Sequence, residues 1–264
     1  MDNQMIWING KFSDDPLQIS VFDKVILGMS VFTSILVDHG RPIWLRDHLR
    51  RLNAHARVMR LKLGYTLEEI EEICAELVHR SPEVSCGFGA LRLELTAGVG
   101  ARGLDYPPES TLFMTYSTAA DPRAATEVKI LCHPRYRRNA DDPLSRIKSG
   151  SYGLAALAKQ EARLDGFDDV IFLNHHHHVT CASSANILVM TGGKYYTPSL
   201  KDGVMDGMMR AHVMRELKAE ERTLTLEEVK SCDHVWLINS FGLRAVKQTD
   251  DVAMVPLMLE FPGL

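Results

Sequence analysis

The sequence predicts an α+β protein of two domains, and three observations carry that reading. Short apolar and β-branched runs alternate irregularly with stretches at helical spacing, without the strand–helix–strand rhythm of a doubly wound sheet. Tight-turn signals such as Asn9-Gly10 and Gly192-Gly193 join neighbouring runs as hairpins. A small, polar stretch, Ser117–Thr126, separates two halves. We therefore expect a smaller N-terminal domain over 1–118, a linker over 119–126 and a larger domain over 127–264.

The elements follow in order. Met5–Ile8 is a short strand ahead of the Asn9-Gly10 turn. Val31–Val37 is rich in β-branched residues and turns through Asp38-His39-Gly40 into Pro42–Leu45, a second hairpin. Over Arg46–Leu63 the period changes: Leu49, Leu52, Ala56, Met59 and Leu63 fall near helical spacing, and Gly64 is the stop. Thr66-Leu67-Glu68-Glu69 is a capping box that opens a helix to Val78. Strands Gly89–Thr96 and Thr111–Tyr116 flank a glycine-rich loop, Gly98–Gly103. The second half begins with strand Val128–Cys132 and a polar loop that leads to Lys148. Helix Tyr152–Leu164, strands Val170–Leu173 and Ile187–Met190, helices Gly207–Leu217 and Leu226–Ser231, and strands His234–Asn239 and Arg244–Gln248 complete it.

Composition narrows the function. Hydrophobic residues make up 45% and charged residues 24%, which suits a packed core and excludes disordered and collagen-like chains. A net charge of −4 offers no basic excess for nucleic acid, and no apolar run approaches the roughly 20 residues of a membrane span. Five widely spaced cysteines without a CxxC pair argue against a disulfide framework or a cysteine zinc site and fit a reducing cytoplasm. The start has no basic segment followed by an apolar stretch, so no signal peptide is expected. Four consecutive histidines, His175–His178, read as a solvated turn, because consecutive residues cannot all face one ion. No metal is expected.

Some residues invite chemistry. The Gly98–Gly103 loop lacks the phosphate-binding glycine pattern and reads as a surface loop, although Arg102 within it suits a carboxylate. Lys148 could form a Schiff base if partly desolvated, with Ile147, Tyr152 and Leu154 as an apolar setting; a solvated charge is the plainer reading. Cys181 would need a base to act as a nucleophile, and the small residues after it suit a close backbone approach instead. Gly207 ahead of a helix leaves backbone N–H groups for an anion.

Seven segments in order carry a resemblance: IWINGKF, VFTSILVDHGRPIWLRDHLRRL, GVGARGL, IKSGSYGLAALAKQEARLDGFDDVIFL, VTCASSANILV, YYTPSLKDGVMDGMMR and LINSFGLRAV. Together they resemble the fold-type IV pyridoxal-phosphate enzymes, which include branched-chain and D-amino acid aminotransferases and 4-amino-4-deoxychorismate lyase. The resemblance implies pyridoxal 5'-phosphate as cofactor, an amino compound as substrate and a homodimer. It also implies a small N-terminal α/β sandwich and a larger C-terminal pseudo-barrel, with the cofactor in the cleft between them. Lys148 is then the lysine that joins the cofactor and shuttles protons. Arg51 and the Gly207-Met208-Met209 helix start match phosphate-binding positions. Tyr152, Ser183, Asn186, Asn239 and Ser240 match cofactor-side positions, and Arg102, Phe32 and Thr33 match substrate-side ones.

Three residues depart from the family pattern. Cys181 stands where the family usually has the glutamate that keeps the pyridine nitrogen protonated. Thr33 stands where aminotransferases often carry glutamate, and Phe32 where the D-amino acid enzymes have tyrosine. VFTS, GVGARGL and LINSFGLRAV are each similar to lyase segments, so the expected activity is that of a 4-amino-4-deoxychorismate lyase. A branched-chain or D-amino acid aminotransferase is the alternative, and a non-catalytic cofactor binder a third.

Overall fold

The computed structural model describes residues 5–124 and 126–259. Ala125, inside the expected linker, lies outside them, as do the first four and last five residues. The fold is α+β and divides into two units. One runs through Asp121 and takes in Lys148–Ser151; the other comprises Pro122–Ile147 and the chain from Tyr152 onward. Lys148 thus groups with the first unit, whereas the sequence reading counts it with the second.

The first unit is an antiparallel sheet carrying helices. Strands β1 (Ile6–Ile8) and β2 (Lys11–Ser13) form a hairpin around Asn9-Gly10, both at positive φ. Next come β3 (Ser30–Asp38), β4 (Arg41–Pro42), helices α1 (Leu45–Val58), α2 (Leu67–His79) and α3 (Pro82–Ser85), then β5 (Phe88–Thr96) and β6 (Thr111–Thr118). Sheet order is β2-β1-β6-β5-β3-β4. The capping box of α2 is formed, with Glu69 N–H on Thr66 Oγ1 at 3.2 Å and Thr66 N–H on Glu69 Oε2 at 2.7 Å.

Helix α1 differs from expectation at both ends. It begins at Leu45, which the sequence reading placed in a strand, and ends at Val58, five residues before Leu63. Arg60 takes a positive φ there, and the chain leaves the helix before Gly64 is reached. Its buried stripe is also unusual. Leu49, Leu52 and Ala56 are joined by His48, Arg51 and His55. Three basic side chains on the inward face of an amphipathic helix need buried partners.

The second unit is built on β7 (Glu127–Arg138), α4 (Gly153–Leu164), β8 (Asp169–Asn174), β9 (Val179–Ala182), β10 (Asn186–Thr191), β11 (Lys194–Pro198), α5 (Met208–Glu216), β12 (Glu220–Arg222), α6 (Leu226–Ser231), β13 (His234–Asn239), β14 (Gly242–Thr249) and β15 (Val252–Ala253). Its main path runs β12-β11-β10-β13-β14-β7-β8-β9. Strand β9, at one end of that path, passes through the Ser183–Ala185 turn directly into β10 near the other, so the sheet curls on itself. The concave side closes over Val128, Ile130, Ile171, Val179, Ile187, Leu237 and Val246, all nearly inaccessible. Strand β9 was not anticipated: four residues after a histidine run give no alternation to read. Strand β7 extends past Cys132 to Arg138, over a register shift against β8 that the polar sequence concealed.

Candidate active site

The first unit holds Lys148 by its main chain. Residues 148–150 lie along the edge of β3: Phe32 N–H donates to Lys148 C=O at 2.9 Å and Gly150 N–H to Ser30 C=O at 2.9 Å. The close approach requires glycine at 150, because a Cβ there would run into Ser30 Oγ. Lys148 N–H donates to His55 Nδ1 at 3.1 Å, which leaves the His55 proton on Nε2. The residue is half-buried, but its amine is well desolvated. Nζ lies 4.3 Å from the centroid of the Phe32 ring.

Desolvation, then the positive charges of Arg51 and Arg92, bring Lys148 down to about 7. His55 is held down to about 4 by burial first, then by Arg51 and Lys148, so it is neutral. Ile147 is buried and Leu154 exposed, and Phe32 provides apolar surface at the amine. Phe32 also carries the Arg92 guanidinium, 3.8 Å from its ring centroid. Arg92 is held by Glu94 Oε2 at 2.6 and 3.1 Å, and buried Glu94 accepts Ser30 Oγ–H at 2.7 Å.

Behind this lies the basic stripe of α1. Arg51 Nη2 donates to Thr33 Oγ1 at 3.2 Å, and Thr33 Oγ1 lies 2.7 Å from His48 Nδ1. The hydroxyl therefore accepts from Arg51 and shares a second hydrogen bond with His48. A glutamate at position 33 would pair with Arg51 directly; the neutral threonine leaves the guanidinium charge uncompensated by Thr33. Arg102 is exposed on its loop. Buried Lys24 donates from Nζ to the carbonyls of Ala101 and Gly103, on either side of Arg102, and so fixes the loop.

The second unit gathers most of the remaining candidates at one end of its sheet. Gly207 caps α5 without a side chain, so the first N–H groups of α5 receive no acceptor from the cap residue. A Cβ at 207 would collide with Asn186 Oδ1, while Asn186 Nδ2 donates to Met205 C=O at 2.9 Å. Met209 is core, Met208 half-buried, and buried Arg210 anchors the helix start through Asp206, Pro198 C=O and Glu221. Asn239 Nδ2 donates to Ser184 C=O at 3.3 Å, which ties the Ser240-bearing turn to the Ser183–Ala185 turn. Ser183 Oγ is buried beside the Asp169 carboxylate.

Asp169 holds this turn from below. It is fully buried, accepts the N–H groups of Val170 and Ser183, and pairs with Lys159 at 3.4 Å and Arg244 at 3.0 Å. Burial alone would raise its pKa, but these hydrogen bonds and charges bring it below the ordinary carboxylate value. Tyr152 and Cys181 pack together against one small cluster, Ala155, Ala158, Ala162, Val170 and Phe172.

These features fit a phosphate-bearing aldehyde. In the first unit a neutral amine can attack a carbonyl, and in the second the glycine-capped start of α5 suits an anion. Arg92, Glu94, His55 and Lys24 had escaped the sequence reading. Arg92 and Glu94 share a strand face by their spacing of two, yet nothing in the sequence sets them opposite Phe32.

The fold is that of a two-unit α+β enzyme family. The chain matches the family described as Amino-transferase class IV over residues 30–249, and it belongs to that family, whose cofactor is pyridoxal phosphate. It is 30% identical over 211 residues to a probable branched-chain-amino-acid aminotransferase of Aquifex aeolicus, covering 74% of this chain and 65% of that protein. To the aminodeoxychorismate lyase of Bacillus subtilis it is 28% identical over 247 residues, covering 89% and 83%. A putative 4-amino-4-deoxychorismate lyase from Legionella pneumophila superposes with a TM-score of 0.83 at 25% identity, covering 94% of this chain and 91% of that one. Among the described residues no helix is long and apolar enough to cross a membrane, and no set of three His, Cys, Asp or Glu is placed to hold a metal.

Proposed function

We propose that this protein is a pyridoxal-phosphate-dependent 4-amino-4-deoxychorismate lyase, which converts aminodeoxychorismate to 4-aminobenzoate and pyruvate. The observation that carries the reading is Cys181, a thiol packed against the Ala155–Phe172 cluster where the family usually has a carboxylate. When bound, the cofactor supplies an aldehyde for the substrate amine and a ring that withdraws electrons from the adjacent carbon. A thiol, with an ordinary pKa of about 8.5, is a poor partner for a protonated ring nitrogen. Aromatisation drives the lyase reaction and tolerates a weaker electron sink; reversible amino transfer has no such drive.

The chain's own residues would divide the work as follows. Lys148 Nζ, brought down to about 7, takes the proton from the carbon that bears the substrate amine. The C–O bond to the enolpyruvyl group breaks, the ring becomes aromatic, and the departing enolate takes a proton at its methylene carbon, returned by Lys148, to become pyruvate. His55 and the β3 edge fix Lys148. Gly207-Met208-Met209 offers N–H groups to the phosphate, with Ser183, Asn186, Asn239 and Ser240 lining the same end of the sheet. Arg51 is assigned to phosphate and Arg102 to a substrate carboxylate. Phe32 and Thr33 form the substrate side near Lys148.

A second reading, a branched-chain or D-amino acid aminotransferase, is favoured by the Aquifex aeolicus relative. Product analysis separates them. Incubation with aminodeoxychorismate is expected to give 4-aminobenzoate and pyruvate. If 4-aminobenzoate does not form while an amino acid and 2-oxo acid pair turns over, the lyase reading is wrong; a yellow protein that turns over neither is a cofactor binder.

We further propose a homodimer. Val21, Phe22, Ile26 and Leu27 are 76, 62, 61 and 53% exposed within seven residues of the first unit, a density of bare apolar surface that a second copy would cover.

A further inference from the structure

The turn between β8 and β9 carries His175–His178 and has no part in the reaction above. Its shape is set by Asn174, which is fully buried. Asn174 Oδ1 accepts the N–H groups of His176 at 2.9 Å and His178 at 3.0 Å, and Asn174 N–H donates to His178 C=O at 2.8 Å. His177 takes a left-handed φ of 64°. The rings of His176 and His178 lie 6.0 Å apart between centroids, tilted by 36°.

His178 is also pre-oriented. Its Nδ1 lies 3.0 Å from Asp202 Oδ1, and Asp202 is fixed in turn by Thr223 Oγ1–H at 2.9 Å and by Asn174 Nδ2–H at 3.3 Å. A carboxylate accepts from Nδ1–H, which leaves the lone pair on Nε2, in a side chain that is 35% exposed. A carboxylate behind an imidazole in this way fixes the tautomer and raises the basicity of a metal-binding nitrogen.

We infer that His176 and His178 form a two-imidazole chelate for a borderline divalent transition-metal ion such as Ni2+ or Zn2+, with water completing the coordination. Imidazole is the ligand such ions favour. Two imidazoles on one ion stand with centroids roughly 5 Å apart, a small χ rotation from the separation seen. His175 and His177 are bystanders. This departs from the sequence reading of the run as a plain solvated turn: the physical difference is the carboxylate behind His178, which comes from a segment 24 residues away.

Calorimetric titration of Ni2+ and of Zn2+ into tag-free, cofactor-loaded protein tests the proposal. Saturable binding is expected, weakened about tenfold or more by His176→Ala and by His178→Ala and changed less than about threefold by the double variant His175→Ala/His177→Ala. His176 is exposed, so its variant separates loss of a ligand from a loosened turn. The proposal is overturned if neither ion binds below about 1 mM. It is equally overturned if His176→Ala leaves the affinity unchanged, or if the His175/His177 variant loses as much as the other two.

Discussion

A lysine amine near its titration point at pH 7 changes both reactivity and stability. In the unfolded chain Lys148 titrates near 10.5, and in the fold at about 7. Between those values the unfolded chain holds one more proton, so stability rises with pH across that window. Below about 7 both states are protonated, and the full cost of burying the cation is felt. Lys148→Met in the cofactor-free protein is therefore expected to raise the melting temperature more at pH 7 than at pH 10; an equal gain at both would show that the amine is solvated. His55 acts over a lower range. It titrates at about 4 in the fold against 6.5, so stability is lost as pH falls from 6.5 to 4. Cys181 is the other decisive residue. Cys181→Glu is expected to speed the conversion of bound cofactor by an amino donor alone, read as loss of the aldehyde-form absorbance, by about tenfold. An unchanged rate would mean that the thiol is not what limits amino transfer.

Elements position these residues, and they were unevenly legible. The Thr66–Glu69 capping box, the Asn9-Gly10 hairpin and the helix carrying Leu49, Leu52 and Ala56 follow from local rules, because each rests on contacts within a few residues. Arg51 stood out only through the family resemblance, which also gave Lys148 and Gly207 definite roles. The end of α1 was misread because Leu63 keeps helical spacing after the backbone has turned away at Arg60. What could not be read at all are pairings across long stretches of chain: Glu94 beneath Arg92 and opposite Phe32, His55 on Lys148, and Asp202 behind His178. Gly207 shows the same limit. Its place before a helix was visible, but not that Asn186 packs where a side chain would go. Gly207→Ala puts a poor N-cap residue at the start of α5 and is expected to weaken pyridoxal phosphate binding about tenfold, about 1.4 kcal/mol, as Asn186 and the amides shift. Fluorescence titration with the cofactor checks it; an unchanged affinity removes α5 from the anion site.

At the scale of the whole molecule, the open question is what covers the segment Val21–Leu27. Its polar groups are satisfied internally: Asp23 accepts from Val25 N–H, Lys24 N–H bonds Gly98 C=O and the turn ends on Gly28 in the left-handed region. The backbone therefore has no need of water or a partner, and the segment is held in shape. Its apolar side chains nevertheless point out, with Val99, bridged to Asp23, exposed beside them. A preformed apolar surface on a chain of net charge −4 is the kind of face that self-association buries, since fully covering one such side chain is worth about 1.5–3 kcal/mol. Phe22→Asp with Ile26→Asp places two unpaired charges in that face and is expected to shift the sedimentation coefficient from dimer to monomer while leaving the circular dichroism spectrum unchanged. Because Lys24 in the same segment clamps the Arg102 loop, the monomer should also bind substrate more weakly, raising KM more than it lowers kcat. A wild-type protein that sediments as a monomer, or a double variant that stays dimeric, would show that this face serves some other purpose.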